Sequence, residues 1–236
     1  NTEKIVAIAN NAAGAVGAVM LPRVSNLRAS GSDDKVLSYI SKSMKYIMLI
    51  AVALAFGIAG VSKSFSVIYY GKEFERCGTL LMMISPAIVF YAASNILRNQ
   101  YLLPKDMDRV FVTATVSASI LNFVLNSIFI PVYGALGAVI GTVGAQFGEL
   151  AYQALKTRKE LPIKKYILYV FPYICFGAIM FFACKRIEKI EGISVVSLIT
   201  QIIVGGIIFL ILVSIYFIIT RDELFSSIIN KIKKKV

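Results

Sequence analysis

The sequence predicts an all-α integral membrane protein, a polytopic helical bundle of about seven transmembrane helices. Three observations carry that prediction. The 236 residues are 58% hydrophobic and 16% charged, with a mean hydropathy of +0.76, whereas a water-soluble domain of this size needs far more charge to stay dissolved. The apolar residues arrive in blocks of about 20, the length a helix needs to cross about 30 Å of hydrocarbon. No block alternates apolar and polar residues over about ten positions, as the strands of a membrane barrel do.

The first block, Ile5 to Leu21, follows a short charged stub, Asn1 to Lys4. Met44 to Val61 is the second. Thr79 to Leu97 is the third, and Pro86 inside it removes a helix hydrogen bond, which predicts a kink. Val110 to Ile130 and Ala135 to Leu155 are joined by the minimal turn Pro131-Val132-Tyr133-Gly134, so they must run antiparallel as neighbours. Tyr166 to Cys184, with Pro172, is the sixth. Val195 to Thr220 is the seventh, and Gly205-Gly206 are expected to loosen it.

Basic residues on alternate connections set the expected orientation, because cytoplasmic loops retain Lys and Arg. One side collects Arg23, Arg28, Lys35, Lys42 and Lys45, then Arg98, Lys105 and Arg109, then the Lys156 to Lys165 connection, then Arg221 and the tail lysines from Lys231 to Lys235. The other holds Lys4, Lys63, Lys72, Arg76, Lys185, Arg186 and Lys189, fewer than half as many. The C-terminus is therefore expected in the cytoplasm and the N-terminus outside. Nothing upstream of Asn1 would deliver it there, so the chain reads as the C-terminal part of something longer.

The net charge of +12 sits in short loops flanking spans rather than on one soluble face. It is explained by topology and by attraction to anionic lipid headgroups, and a nucleic-acid role is not expected. Cys77, Cys175 and Cys184 have no metal-ligand spacing and His is absent. No metal site or histidine relay is expected. No cofactor is expected either.

Polar residues inside the membrane are costly and call for a reason. In the fifth span Thr142, Gln146, Glu149 and Gln153 fall at i, i+4, i+7 and i+11, on one helix face. In the fourth, Thr115, Ser119, Asn122 and Asn126 repeat that spacing. Counting outward from the turn, Asn122 lies near the depth of Thr142 and Thr115 near that of Glu149, so the stripes can face a common space. Hydrogen bonding between helices explains any single Ser or Thr. A carboxylate at a helix centre costs on the order of 3 kcal/mol on insertion scales, which singles out Glu149 as a residue that either lines a hydrated path or is held by hydrogen bonds between helices. Gly134, Gly137, Gly141, Gly144 and Gly148 form a strip along the same span whose expected role is close helix approach.

At the cytoplasmic end of the third span, Tyr91, Asn95 and Arg98 lie at i, i+4 and i+7 and lead into Asn99-Gln100. Arg98 either snorkels to the interface or presents a fork of donors to a phosphate. Arg23 and Arg28, just after the first span, carry the same choice. Neither span pair nor loop holds clustered carboxylates of the kind hydrolysis or glycosyl transfer needs, so no catalytic residues are assigned.

The segments Val19-Met20-Leu21-Pro22-Arg23-Val24-Ser25-Asn26-Leu27, Tyr69-Tyr70-Gly71-Lys72-Glu73-Phe74 and Ile130-Pro131-Val132-Tyr133-Gly134-Ala135-Leu136-Gly137-Ala138 resemble the Wzx-type polysaccharide flippases of the multidrug/oligosaccharidyl-lipid/polysaccharide exporter superfamily. The resemblance runs from the first span through the fifth and fades in the last two. It implies the second bundle of a MATE/flippase-like fold, a chain that begins near the eighth of about fourteen helices, and one wall of a central cavity. The missing N-terminal half would supply the other wall. It also implies alternating-access transport of a polyprenyl-pyrophosphate-linked oligosaccharide from the inner to the outer leaflet. By position, Arg98, Arg23 and Arg28 are then expected to meet the phosphates, and Asn122, Asn126, Gln146 and Glu149 to line the sugar path or respond to a coupling cation. Two other readings remain open from sequence: a cation-coupled multidrug exporter of the same superfamily, and a non-transporting membrane component of a glycan-assembly complex.

Overall fold

A computed structural model describes residues 21–22, 24–28 and 33–222, and every regular element among them is helical. Residues 21–22 and 24–28 are helical, and the rest of the expected first span lies outside the described residues, as does Arg23. Helix α1, Asp33–Tyr70, is 38 residues long, about 57 Å at the helical rise, well beyond the hydrocarbon thickness. The sequence shows only its apolar middle because Asp33, Asp34, Lys35 and Lys42 lower the hydropathy of the first turns. No proline interrupts the segment, and Val36, Ile40, Met44, Met48, Ala51 and Ala55 bury one continuous stripe along it.

The third span is composite. A 3-10 turn, Lys72–Phe74, leads into α2, Glu75–Ile84, and α3, Pro86–Leu97, with Ser85 between them. Pro86 brings no N–H to the ladder, and the Ser85 hydroxyl donates to the carbonyl of Met82 at 2.9 Å instead. The expected kink is thus a break between two helices. α3 passes into a π turn, Arg98–Leu102, and a short 3-10 turn, Leu103–Lys105. Helices α4, Asp108–Tyr133, α5, Ala135–Thr157, α6, Ile163–Glu191, and α7, Val195–Ile219, follow. α6 runs through Pro172 and α7 through Gly205-Gly206 without a break, so those glycines do not loosen the helix into separate pieces. Gly205 instead sits where the Cys184 sulfur would lie 2.7 Å from an added Cβ.

Five helical stretches among the described residues are long and apolar enough to cross a membrane: 34–70, 72–105, 108–133, 163–191 and 195–219. With the family relationship given below, they make this a membrane protein. Helix α5 is long enough, at 23 residues, but its polar stripe and glycines leave it less apolar than its neighbours. It owes its place to pairing with α4 along its length.

The helices form a row. α1 is central and touches α2, α3, α6 and α7; α3 meets α5, and α5 pairs with α4, which forms the outer edge among the described helices. One apolar core joins α1 to α2, α3 and α5, and a second, around Val52, Tyr173, Met180, Phe209 and Val213, joins α1 to α6 and α7. Lipid tails are as apolar as leucine, so burial alone does not hold such helices together, and close van der Waals contact must.

The α4–α5 hairpin shows how. Its connection is the single residue Gly134, at φ +58°, with its N–H bonded to the carbonyl of Ile130 at 2.8 Å. A Cβ on Gly137 would sit 2.3 Å from the carbonyl of Phe129, and one on Gly141 would sit 2.1 Å from Oδ1 of Asn126. Gly144 and Gly148 meet Leu125 and Leu121 in the same way. The glycine strip is the contact seam of the hairpin, as expected. Gly137→Ala is therefore predicted to destabilise the protein by ~1–3 kcal/mol, because two backbones must separate. Gly206→Ala, with open space around the added carbon, is predicted to be neutral or to stabilise by up to ~1 kcal/mol through helix propensity. Thermal melts of the two variants in detergent check the contrast, and equal losses would contradict the seam.

Candidate functional site

Registered by the glycine seam, the two polar stripes meet. The Thr115 hydroxyl donates across the hairpin to Oε1 of Glu149 at 3.5 Å, and Nε2 of Gln153 donates to the same oxygen at 3.2 Å. Farther toward the turn, Nδ2 of Asn126 donates to Oδ1 of Asn122 at 2.9 Å, with Asn126 lodged in the notch that Gly141 leaves. Thr115 and Ser119 are exposed, and Asn122, Asn126, Gln146 and Glu149 are half-buried. The expected register of Thr115 with Glu149 is therefore observed.

The stripe is rich in acceptors that lack donors. Among the described residues, Oδ1 of Asn126, Oε1 of Gln146 and Oε1 of Gln153 are buried with no hydrogen-bond partner. A buried unpaired carbonyl costs roughly 1–3 kcal/mol, so three along one seam, beside a carboxylate, are an unmet demand for donors inside the closed hairpin. Ser119 and Thr142 spend their hydroxyl protons on the carbonyls of Thr115 and Ala138, in their own helices.

The basic end of the bundle is built differently. Asn95, Arg98 and Asn99 form a chain: Nδ2 of Asn99 donates to Oδ1 of Asn95 at 3.0 Å, and Nε of Arg98 donates to Oδ1 of Asn99 at 3.3 Å. The guanidinium carbon of Arg98 lies 5.3 Å from the centre of the Phe111 ring on α4, a cation–π contact. Arg98 is half-buried and oriented, with its terminal N–H groups left to present a fork. Gln100, in the same π turn, is wholly buried, and neither of its side-chain polar atoms has a partner among the described residues. π turns of this kind recur at functional sites.

Arg28 lines a separate cleft of about 150 Å³ with Tyr101, Lys105 and Glu160. The Tyr101 hydroxyl donates to Oε2 of Glu160 at 2.6 Å, Lys105 donates to the Tyr101 oxygen at 2.9 Å, and Lys105 pairs with Glu160. Arg28 thus lies at the end of the bundle that carries Arg98, in a cleft whose lining does not include Arg98. Arg23 cannot be placed with them.

Sequence reasoning missed two acids at this end. Glu160 ties the α5–α6 connection to Lys105, and Asp222, 4% exposed, pairs with Lys45 while accepting from the Tyr46 hydroxyl at 2.8 and 3.0 Å. Only 13 acids accompany 25 basic residues, so an acid placed among span-end lysines was itself a signal of ion pairing.

A bundle of long apolar helices, five of them able to span a bilayer, defines a polytopic membrane protein. A profile of the family described as Lipid II flippase MurJ matches residues 13–217, and the chain belongs to that family. In fold it is similar to a solved structure of Lipid II flippase MurJ in an inward closed conformation, with a TM-score of 0.75 at 18% identity over 92% of this chain and 46% of that one. It is also 27% identical over 128 residues to the probable low-salt glycan biosynthesis flippase Agl15 of Haloferax volcanii, a match covering 54% of this chain and 27% of the relative. The chain spans less than half the length of each. Both are named as flippases, which are transporters rather than enzymes.

Glu149→Gln keeps an oxygen for Thr115 and Gln153 while removing the charge. It is predicted to leave the melting temperature nearly unchanged and, on the flippase reading proposed below, to lower export by the full-length protein on the order of ten-fold, equivalent to about 1.4 kcal/mol in the transport barrier. Normal export by a well-inserted variant would refute a functional carboxylate. A collapsed melting temperature would assign Glu149 to packing.

Proposed function

We propose that the chain is the C-terminal half of a flippase that moves polyprenyl-pyrophosphate-linked oligosaccharide repeat units from the cytoplasmic to the outer leaflet by alternating access. The carrying observation is the acceptor-lined α4–α5 seam in a chain of the MurJ family. Spontaneous flipping is blocked because sugar hydroxyls and phosphates would have to leave water for hydrocarbon. Along the seam, Asn122, Asn126, Gln146 and Glu149 offer fixed acceptors to those hydroxyls. At the end assigned to the cytoplasm, the Arg98 guanidinium meets the pyrophosphate, Arg28 in its own cleft adds positive charge at the same end, and the lipid tail stays outside among the exposed apolar side chains. The Wzx-type resemblance and the likeness to a glycan biosynthesis flippase both support an oligosaccharide cargo.

A second reading, a cation-coupled multidrug exporter, draws on one observation: Glu149 lies among unpaired carbonyl oxygens, a set that also suits a cation. The two differ in what a whole protein rescues. Joined to an N-terminal half, the chain is expected to restore surface polysaccharide in a flippase-deficient cell that accumulates lipid-linked repeat units. Arg98→Ala should abolish that rescue and Arg98→Lys should recover only part of it, since a point charge cannot replace the bidentate fork. Failure of a well-inserted protein, together with rescue of drug resistance in an exporter-deficient cell, would overturn the flippase reading.

A further inference from the structure

At the basic end, on the far side of α1 from the hairpin, a cleft of about 330 Å³ opens between the first turns of α1, the start of α6 and the end of α7. Ser38, Ser41, Lys42 and Lys45 line it from α1, Tyr169 from α6, and Arg221 and Asp222 from the end of α7. We infer that this cleft is a binding site for the phosphodiester headgroup of an acidic membrane phospholipid. The inference rests on the chain spanning a membrane and is independent of its cargo.

The charges decide the class of ligand. Asp222 is buried and committed to Lys45 and Tyr46, and the Lys45 ammonium lies within about 6 Å of three rings, Tyr46, Tyr169 and Phe217. That pair is neutral overall. Lys42 and Arg221 are both exposed on the rim and make no ion pair among the described residues, so the cleft keeps two positive charges at its mouth. An Arg and a Lys facing one opening suit a phosphate, the Arg through a bidentate fork and the Lys as a point charge.

The backbone at Arg221 points the same way. The N–H of Asp222 bonds to the carbonyl of Phe217 at 3.0 Å and that of Arg221 to Ile218 at 3.2 Å, the two bonds of a Schellman ending, with Arg221 in the left-handed position at φ +48°. Glycine takes that conformation without strain and arginine does not. An arginine in that place turns Asp222 back under α1 and leaves its own side chain at the cleft mouth.

Depth argues for a lipid rather than a soluble anion. The cleft sits where the apolar run of α7 stops, its α7 side formed by Thr220, Arg221 and Asp222, so the hydrocarbon begins directly below it. Acyl chains lying there would hold a headgroup at the level of Lys42 and Arg221, where anionic headgroups concentrate.

Native mass spectrometry of the full-length protein with phosphatidylglycerol and phosphatidylcholine tests this. The wild type is expected to retain phosphatidylglycerol about ten-fold more strongly than phosphatidylcholine, a preference built from two charged contacts. Lys42→Ala/Arg221→Gly should lose the preference. Arg221→Gly alone should weaken it while the protein melts no lower than the wild type, since glycine relieves the left-handed backbone. Lys72→Ala/Arg76→Ala, which removes as much charge from exposed positions at the opposite end, should keep it. Unchanged preference in Lys42→Ala/Arg221→Gly, or equal loss in the opposite-end control, would overturn a defined site. Displacement of the lipid by millimolar inorganic pyrophosphate, with pyrophosphate then bound, would overturn the headgroup assignment in favour of a soluble or substrate phosphate.

Discussion

The absence of a Cβ at Gly137, Gly141, Gly144 and Gly148 is the constraint on which the candidate site depends. Helices in a bilayer gain little from hiding apolar surface from one another, so the α4–α5 pair is held by close contact, backbone on backbone at Gly137 and side chains of α4 seated on Gly141, Gly144 and Gly148. That contact fixes the register of two polar stripes. Phe129 against Gly137 sets the depth, Asn126 fills the notch at Gly141, and three turns farther from Gly134 Thr115 reaches Glu149. A larger residue in the seam would part the helices and separate the stripes together. Structural and functional roles of the strip are therefore one role.

The rest of the row arranges what the hairpin needs. α1 is long enough to project beyond the hydrocarbon and serves as the spine against which α2, α3, α6 and α7 lie. The break at Ser85 and the π turn at Arg98–Leu102 lie at either end of α3, the helix that joins the spine to α5. Between them α3 keeps Ala92, Ala93, Ser94 and Asn95 buried, so the segment is packed on all sides yet bounded by two irregularities. Ion pairs of Lys45 with Asp222 and Lys105 with Glu160 fasten helix ends at the basic side, where they neutralise part of an otherwise repulsive surface.

Much of this was legible before any coordinates. Blocks of hydropathy located the apolar part of every described span, and the i, i+4, i+7 spacing located both stripes, because helical periodicity is local information. The tight turn was legible in Pro131-Val132-Tyr133-Gly134, but its extent was not: α4 continues through Pro131, Val132 and Tyr133, and Gly134 alone makes the turn. What was not legible depends on distant partners. The reach of α1 back to Asp33 was hidden by Asp34, Lys35 and Lys42, whose charges read as a loop but lie on a helix too long for the hydrocarbon alone. The π turn has no sequence rule, and it changed which neighbours Arg98, Asn99 and Gln100 meet. Phe111 against Arg98, and Asp222 under Tyr46, join residues far apart in the chain. The same holds for the unpaired oxygens of Gln146 and Gln153, since a stripe shows where polar groups are and not which of them are satisfied.

The central claim is that the stripe of α4 borders a hydrated path. Accessibility to a membrane-impermeant thiol reagent measures that most directly, with single cysteines in the full-length protein after Cys77, Cys175 and Cys184 are replaced. Ser119→Cys and Asn122→Cys are predicted to label, and Val124→Cys and Ile128→Cys, on the opposite face of α4, to remain unlabelled. Silence at all four positions, or labelling confined to Val124→Cys and Ile128→Cys, would contradict the account.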